Sequence, residues 1–248
     1  MDKIDIVIPW SRGLDVNRHR ALDAVIERMT SFGSSRIILA EAGPDGTPER
    51  VVRGTFQVVV DTPWNKAVVM NQTVQHVCES EWIMMLDGDV LLDPGLRERF
   101  ERSRSGLGSM MPFKRVHSLS EAETATFLDT GEIDGRSRRP NVGALGGGAL
   151  LVRRDLYLFV RGFDERFAYM EDIDMGHRLR RLTQRDVTVA KHPKVWHFNS
   201  SHERPAYHLW HPLVDYPKAR SRAMFERRRM LSANKLMLDT VSCIGVPR

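Results

Sequence analysis

The feature that most constrains this chain is a short apolar run that ends in two aspartates. Residues Trp82–Leu86 are all apolar and Asp93-Pro94-Gly95 soon follows, so the run predicts a buried β-strand rather than a helix. The strand ends on Asp87-Gly88-Asp89, where two carboxylates two residues apart would repel each other. A divalent cation removes that repulsion, and oxygen ligands suit Mg²⁺ or Mn²⁺. Taken alone the triplet still favours a solvated turn, because Asp and Gly are common turn residues.

Composition predicts a soluble globular protein. The chain has 248 residues, 42% hydrophobic and 28% charged, enough for one large α/β domain or two small ones. We find no apolar run long enough to cross a membrane, and the N-terminus leads directly into a strand pattern instead of a signal peptide. The two cysteines, Cys78 and Cys243, predict a reduced, cytoplasmic protein, although one bridge between them stays open.

The net charge of +5 is concentrated late in the chain. Five arginines lie close together there: Arg220, Arg222, Arg227, Arg228 and Arg229. A basic surface favours polyanionic partners such as nucleic acid, acidic glycans or anionic lipid, but a solvated helix face is an equal alternative. We predict a basic helical extension over 206–248, helical from about 219 to 238, beside a main domain over 1–205. The extension could support a homo-oligomer.

The first hundred residues alternate between strand and helix patterns. In chain order we predict strand 4–9, a helix that Asn17 caps and Gly33 ends, strands 36–40 and 57–60, a helix opened by 63–66, strand 82–86 and a helix capped by Asp93. This alternation predicts an α/β fold with a mostly parallel sheet covered on both faces, where ligands bind beyond the carboxyl ends of the strands. Polar residues at such ends are Ser11, Arg12, Glu41, Asp87 and Asp89. Their convergence favours the metal interpretation of the aspartates.

The second half is less regular. Met110–Phe113 could form a strand, and a capping box from Ser120 to Glu123 predicts a helix that ends at Gly131. The polar stretch 131–139 is a candidate mobile loop. The glycine-rich stretch 143–152 lacks the lysine and hydroxyl of a phosphate-binding loop, although its glycines allow a ligand to approach the backbone closely. A helix follows Met170, strands are predicted at 187–190 and 195–198, and CxxC, HExxH and nucleophile-elbow motifs are absent from the sequence.

Taken together, the motifs resemble the nucleotide-sugar glycosyltransferases of the GT-A fold. The order is a strand-end acid, Asn65-Lys66, Asp87-Gly88-Asp89, then GGALLVRRDLY, GFDERFAYMEDIDMGHRLRR and Trp196-His197. The resemblance is to family-two enzymes and to the galactosyltransferase-type C-terminal segment of chondroitin-polymerase-like and β-galactosyltransferase proteins. It covers residues 4 to about 203 and leaves the basic extension outside.

The resemblance implies a role for each matching residue. The nucleotide and its sugar would be bound by Pro9, Trp10, Arg12, Glu41, Lys66, Asn71, Asp87, Gly146 and Gly147. Asp87, Asp89 and His197 would hold the metal, with Asp87 also at the ribose. Glu171 and Asp172 would face the reacting centre, with Asp172 as the base. Many relatives carry tryptophan and glycine just before that acidic pair, where this chain has Ala168-Tyr169-Met170, so the donor sugar is open.

The function that follows is an inverting, Mn²⁺- or Mg²⁺-dependent transfer of a sugar from a UDP-sugar to a hydroxyl acceptor, which could be a glycan, another polyanion or a modified nucleic acid. Two alternatives stay open. A metal-dependent nucleotidyltransferase or phosphodiesterase would use the same carboxylates and cation. A non-catalytic UDP-sugar-binding module would bind the nucleotide without turnover.

Overall fold

The computed structural model describes residues 3–13, 16–33, 35–104, 107–113, 115–133, 141–142, 148–167, 171–185, 197–198 and 206–209. The described chain is built around a seven-stranded sheet with helices packed against it. Among the described helices, none is both long and apolar enough to cross a membrane.

The large sheet is mostly parallel. Its strands, in spatial order, are β10 (His197–Phe198), β6 (Ser109–Met111), β9 (Ala149–Arg153), β4 (Trp82–Leu86), β1 (Ile4–Ser11), β2 (Arg36–Ala42) and β3 (Phe56–Val60). Strands β4, β1, β2 and β3 run parallel to one another, as do β10 and β6, whereas β9 runs antiparallel to both β4 and β6. The predicted α/β class and the four predicted strands of the first hundred residues are therefore confirmed.

The helices follow the apolar stripes and caps of the sequence. They are α1 (Val16–Thr30), α2 (Lys66–His76), α3 (Leu96–Ser103), α4 (Glu121–Thr130), α5 (Arg154–Phe159) and α6 (Glu171–Arg185), with one 3-10 turn at Pro44–Gly46. Asn65 caps α2, because its side-chain oxygen accepts hydrogen bonds from Ala67 N at 3.0 Å and Val68 N at 3.3 Å. The predicted capping box at Ser120 is present, and Gly131 ends α4 in the left-handed conformation.

A second, four-stranded sheet has the order β5 (Val90–Leu91), β11 (Ala206–His208), β7 (Arg115–Ser118) and β8 (Asn141–Val142). Strand β11 lies antiparallel to β5 and parallel to β7. Residues 206–209, which we assigned to the extension, thus belong to the folded unit, and β11 pairs with β5, the strand that directly follows the aspartate triplet. The rest of the extension, including the helix predicted over 219–238, lies outside the described residues.

Three local predictions are corrected. The helix after the triplet begins at Leu96 with Gly95 as its N-cap, because the carboxylate of Asp93 pairs with Arg99 instead of capping. Asn17 lies inside α1 and not at its cap. The strand expected over Met110–Phe113 is Ser109–Met111. The strand predicted over 187–190 and residues 143–147 of the glycine-rich stretch lie outside the described residues.

Candidate active site

The aspartate triplet lies at the carboxyl end of β4, where the chain bends away from the sheet. All five residues of β4 are buried, and Asp87 N continues the pairing by donating to Gly148 O at 2.7 Å. Gly88 then packs on the core: a Cβ there would lie 3.3 Å from Leu22 and 3.4 Å from Trp10. The two carboxylates on either side of Gly88 have different partners: Asp87 pairs with Lys66, and Asp89 with Arg18 and His208.

Gly148 closes one side of the triplet. Its φ of +81° favours glycine, and a Cβ at this position would lie 2.6 Å from Val90 Cγ2 and 3.0 Å from Asp87 Oδ2. The last glycine of the glycine-rich stretch therefore allows the backbone to lie against the carboxylate of Asp87. Gly146 and Gly147, for which we predicted this closeness to a ligand, lie outside the described residues.

Lys66 joins two acidic residues that are far apart in sequence. It is the first residue of α2, and its Nζ lies 2.6 Å from Asp87 Oδ1 and 3.1 Å from Glu171 Oε1, at the start of α6. Burial alone would lower the pKa of Lys66, but the charges of Asp87, Glu171 and Asp172 raise that pKa well above its ordinary value. Lys66 is therefore a fixed cation among three carboxylates.

The carboxyl group of Asp172 in this cluster has a raised pKa. Burial, followed by repulsion from Glu171, raises the pKa of Asp172 to about 7, although Lys66 and the hydrogen bond from Ile173 N at 2.7 Å act in the opposite direction. Glu171 is buried with 6% exposure, and its position beside Lys66 keeps a negative charge next to Asp172. A carboxylate with this pKa is suited to accept a proton near neutral pH.

Asp89 is held from three directions. Arg18 Nη1 lies 3.6 Å from its Oδ2, His208 Nε2 lies 3.4 Å from its Oδ1, and Leu209 N donates to its backbone oxygen at 2.8 Å. Burial alone would lower the pKa of His208, but its hydrogen bond with Asp89 and the negative charges nearby raise it. Helix α1 and strand β11 therefore meet at this carboxylate.

The histidine predicted to hold the metal, His197, and the histidine that contacts the triplet are different residues, and the metal role of His197 stays a prediction. The backbone of His197 lies in β10 at the edge of the large sheet, with β6 and β9 between it and β4, and its side chain is outside the described part of the structure. The histidine whose described side chain contacts the triplet is His208. Its position was missed because we placed residues from 206 onward outside the domain, although the alternation in Ala206-Tyr207-His208 is a strand signal.

The four residues expected at the nucleotide base and ribose contact one another or the core. Pro9 is buried, and Trp10 is 2% exposed beneath Gly88. Arg12 pairs with Glu41 and donates to Thr47 O.

Both carboxylate oxygens of Glu41 also accept from Glu49 N, at 2.9 and 3.1 Å. In the described structure, Trp10 supports the triplet from below, while Arg12 and Glu41 fasten the loop after β2 to the end of β1. A direct contact of these residues with a nucleotide stays a prediction.

Asn71 serves as a connector between α2 and the segment that precedes α6. Its Oδ1 accepts from Tyr157 OH at 2.6 Å and Phe163 N at 2.9 Å, and its Nδ2 donates to Phe163 O and to Glu165 Oε1, both at 2.9 Å. Gly162 lies so close to Asn71 that a Cβ there would clash with it. Since each polar atom of the Asn71 side chain is engaged within the protein, its role in the site is to position neighbours.

Comparison with known proteins gives two kinds of relative. No family model matches the chain. N-acetylglucosaminyl-diphospho-decaprenol L-rhamnosyltransferases from two strains of Mycobacterium tuberculosis are 47% identical over 129 residues, which is 51% of this chain and 40% of theirs. The match thus spans about two fifths of the length of these curated relatives.

Among solved structures, glucosyl-3-phosphoglycerate synthase from Mycobacterium tuberculosis is similar throughout the fold. Its complex with Mn²⁺, UDP and glucosyl-3-phosphoglycerate has a TM-score of 0.53 at 14% identity, covering 89% of this chain and 76% of that one. Its complex with phosphoglyceric acid has a TM-score of 0.51 at 13% identity, with the same coverage. The chain has the GT-A fold.

The side chains of this GT-A site fit a hard divalent cation. Asp87 and Asp89 offer carboxylate oxygens, the ligands that Mg²⁺ and Mn²⁺ prefer, and His208 lies beside Asp89. Within the described residues, no three or more His, Cys, Asp or Glu side chains already form a metal cluster. A cation here would therefore need further ligands from a bound substrate, as Mg²⁺ sites with one or two carboxylates commonly do.

Proposed function

We propose that this GT-A chain is a glycosyltransferase that moves a sugar from a UDP-sugar to the hydroxyl of an acceptor, with inversion at the anomeric carbon. The observation that carries the proposal is the cluster in which Lys66 bridges Asp87 and Glu171 while Asp172 has a pKa of about 7. This cluster brings a strand-end carboxylate suited to a metal–diphosphate together with a second carboxylate suited to take a proton.

The proposed reaction needs one proton transfer by the protein. Asp172 accepts the proton of the acceptor hydroxyl as that oxygen forms a bond to the anomeric carbon. The bond between this carbon and the diphosphate oxygen breaks, and UDP leaves with the electron pair. Because a single base acts on the side opposite the leaving group, the configuration inverts. Glu171 does not take the proton in this scheme, since it is buried beside the Lys66 ammonium group.

Three side chains would hold the leaving group and the metal. Asp87 and Asp89 would be ligands of Mn²⁺ or Mg²⁺, with His208 beside them. When bound, the cation neutralises charge that builds on the departing phosphate oxygens.

Lys66 lies beside the proposed metal ligand Asp87, so its ammonium group would supply a second positive charge near the departing phosphate without any proton transfer. Its raised pKa keeps the ammonium group charged throughout the neutral range.

The compared proteins suggest which substrates to test first. The solved complex contains UDP and Mn²⁺, and the curated relatives are named for L-rhamnose and for N-acetylglucosaminyl-diphospho-decaprenol. We propose UDP as the nucleotide, L-rhamnose as the first sugar to test, and a sugar carried on a polyprenyl diphosphate as the first acceptor. The negative diphosphate of such an acceptor suits a chain with a net charge of +5.

The deciding experiment measures nucleotide release without an acceptor. The protein is incubated with Mn²⁺ and a panel of nucleotide sugars, UDP-linked and others, with L-rhamnose among the sugars, and slow hydrolysis by water identifies the donor. With that donor and an acceptor, Asp172→Asn should slow transfer by about a hundredfold or more while UDP affinity and melting temperature stay near wild type. Asp89→Ala should abolish the Mn²⁺ dependence of UDP binding.

Other outcomes would assign the fold a different activity. Release of pyrophosphate instead of UDP would indicate a nucleotidyltransferase. Tight UDP binding without turnover on any acceptor would indicate a binding module. UDP affinity that is equal with and without Mn²⁺ in the wild type would exclude the metal role of the triplet.

A further inference from the structure

Both carboxylates of the triplet already face a cation of the protein. The Oδ1 atom of Asp87 lies 2.6 Å from the ammonium group of Lys66. The Oδ2 atom of Asp89 lies 3.6 Å from the guanidinium group of Arg18, at ion-pair distance but beyond a strong hydrogen bond. Arg18 therefore belongs to the site, although no sequence motif indicated this.

Arg18 is held in this position by its packing. It lies in the first turn of α1, its side chain is 13% exposed, and its guanidinium carbon lies 5.9 Å from the centre of the Trp10 ring. Trp10 is itself buried beneath Gly88. Trp10 thus packs against both Arg18 and the triplet. The guanidinium group of Arg18 stays charged at every physiological pH.

A fixed positive charge has opposite effects on the two parts of a metal–diphosphate. It repels a divalent cation that approaches Asp89 alone, and it attracts the phosphate oxygens that accompany the cation. The described residues also lack a ready cluster of three metal ligands, so a lone cation would find few protein oxygens. Both observations disfavour binding of the metal by itself.

We propose that Arg18 is a further residue of the donor site, an inference that rests on the proposed function. Arg18 neutralises the charge of Asp89 in the nucleotide-free protein. As a result, the divalent cation binds tightly together with the diphosphate and only weakly alone. Arg18 is a positioning residue in this scheme. It holds the carboxylate in position before the donor arrives, and it exchanges part of that interaction for the diphosphate afterwards.

The test measures Mn²⁺ binding directly, by the electron paramagnetic resonance signal of free Mn²⁺, with and without UDP. In the wild type, UDP should tighten Mn²⁺ binding by at least about tenfold, and by linkage Mn²⁺ should tighten UDP binding by the same factor. Arg18→Gln should bind Mn²⁺ alone about tenfold more tightly and should lose most of this coupling. Arg18→Lys keeps the charge and should retain the coupling.

Arg20→Gln is the matched control on the same helix. Arg20 is exposed and pairs with Asp129 at 2.6 Å, away from the triplet, so its coupling should equal that of the wild type. Melting temperatures of all variants separate loss of fold from loss of coupling. If Arg18→Gln does not fold, Mn²⁺ binding to the wild type that is equally tight with and without UDP still overturns the proposal.

The failures of the two proposals are distinguishable. A wild-type protein that binds no UDP in the presence of Mn²⁺ would overturn both the proposed function and the role of Arg18. Normal metal-dependent UDP binding together with unchanged coupling in Arg18→Gln would overturn the role of Arg18 alone. Loss of coupling in Arg18→Lys equal to that in Arg18→Gln would show that geometry, and not charge, is responsible.

Discussion

The raised pKa of Asp172 predicts an acidic limb in the pH profile of transfer. A base must be deprotonated to accept the acceptor proton, so activity should rise with pH as Asp172 ionises. Burial and the neighbouring Glu171 raise the pKa of this carboxyl from 3.8 to about 7. Below that pH the protonated fraction grows, and kcat/KM should fall by about tenfold for each further pH unit.

The size of the effect separates two hypotheses. With a pKa of about 7, kcat/KM at pH 5 should be about a hundredfold below its plateau. With an ordinary aspartate pKa of 3.8, the same measurement at pH 5 would lie within about twofold of the plateau. Glu171→Gln removes the largest repelling charge, so its acidic limb should move to lower pH.

The assay is transfer at saturating Mn²⁺ between pH 5 and 8.5, with kcat/KM for the donor measured at each pH. Asp129→Asn is a matched control, because Asp129 is an exposed aspartate on α4 whose described partner is Arg20. A wild-type profile that is flat between pH 5 and 8 would refute the assignment of Asp172 as the base. An acidic limb that stays in place in Glu171→Gln would refute the proposed cause of the shift.

Two further predictions concern stability. Asn71→Ala leaves Tyr157 OH and both backbone groups of Phe163 without their partner, so the free energy of unfolding in urea should fall by about 3 kcal/mol. Wild-type stability with weakened UDP affinity would instead place Asn71 at the nucleotide. Burial alone would raise the pKa of Asp5, but the hydrogen bonds from Arg36 and from two backbone amides lower it below the ordinary value of 3.8. The ionised carboxylate of Asp5 therefore stabilises the fold above pH 3.8, and this contribution is lost as the pH falls through the lower pKa of the folded state. Asp5→Asn should therefore be less stable than wild type at pH 7, with a difference that narrows below pH 3.8, and an equal difference at both pH values would contradict this.

Local sequence patterns predicted much of the first hundred residues and the caps. Strands β1, β2 and β4 follow from short apolar runs, because such runs are favourable where both faces of the strand are buried. Strand β3 was also predicted from an apolar run, but it lies at the edge of the sheet and stays partly exposed. The capping box at Ser120 was predicted in the same way, since it depends on groups within three residues, and the helix predicted to open at 63–66 begins at Lys66. The aspartate pair and the acidic start of α6 were found in the same way.

The partners of these residues were decided by tertiary structure. Lys66, Asp87 and Glu171 meet because α2, β4 and α6 converge at one edge of the sheet, and no local pattern encodes a contact across about a hundred residues. His208 contacts Asp89 because β11 enters the small sheet between β5 and β7.

Which side chains are buried or paired within the protein was also decided by tertiary structure. Trp10 lies near the end of β1 and Arg12 directly after it, and the resemblance to GT-A enzymes implied that both line the nucleotide pocket. Packing beneath Gly88 buries the first, and Glu41 engages the second. The sequence determined which chemical groups lie at the strand ends, because that depends on neighbours along the chain; only the packing of distant segments decided which of those groups face the site.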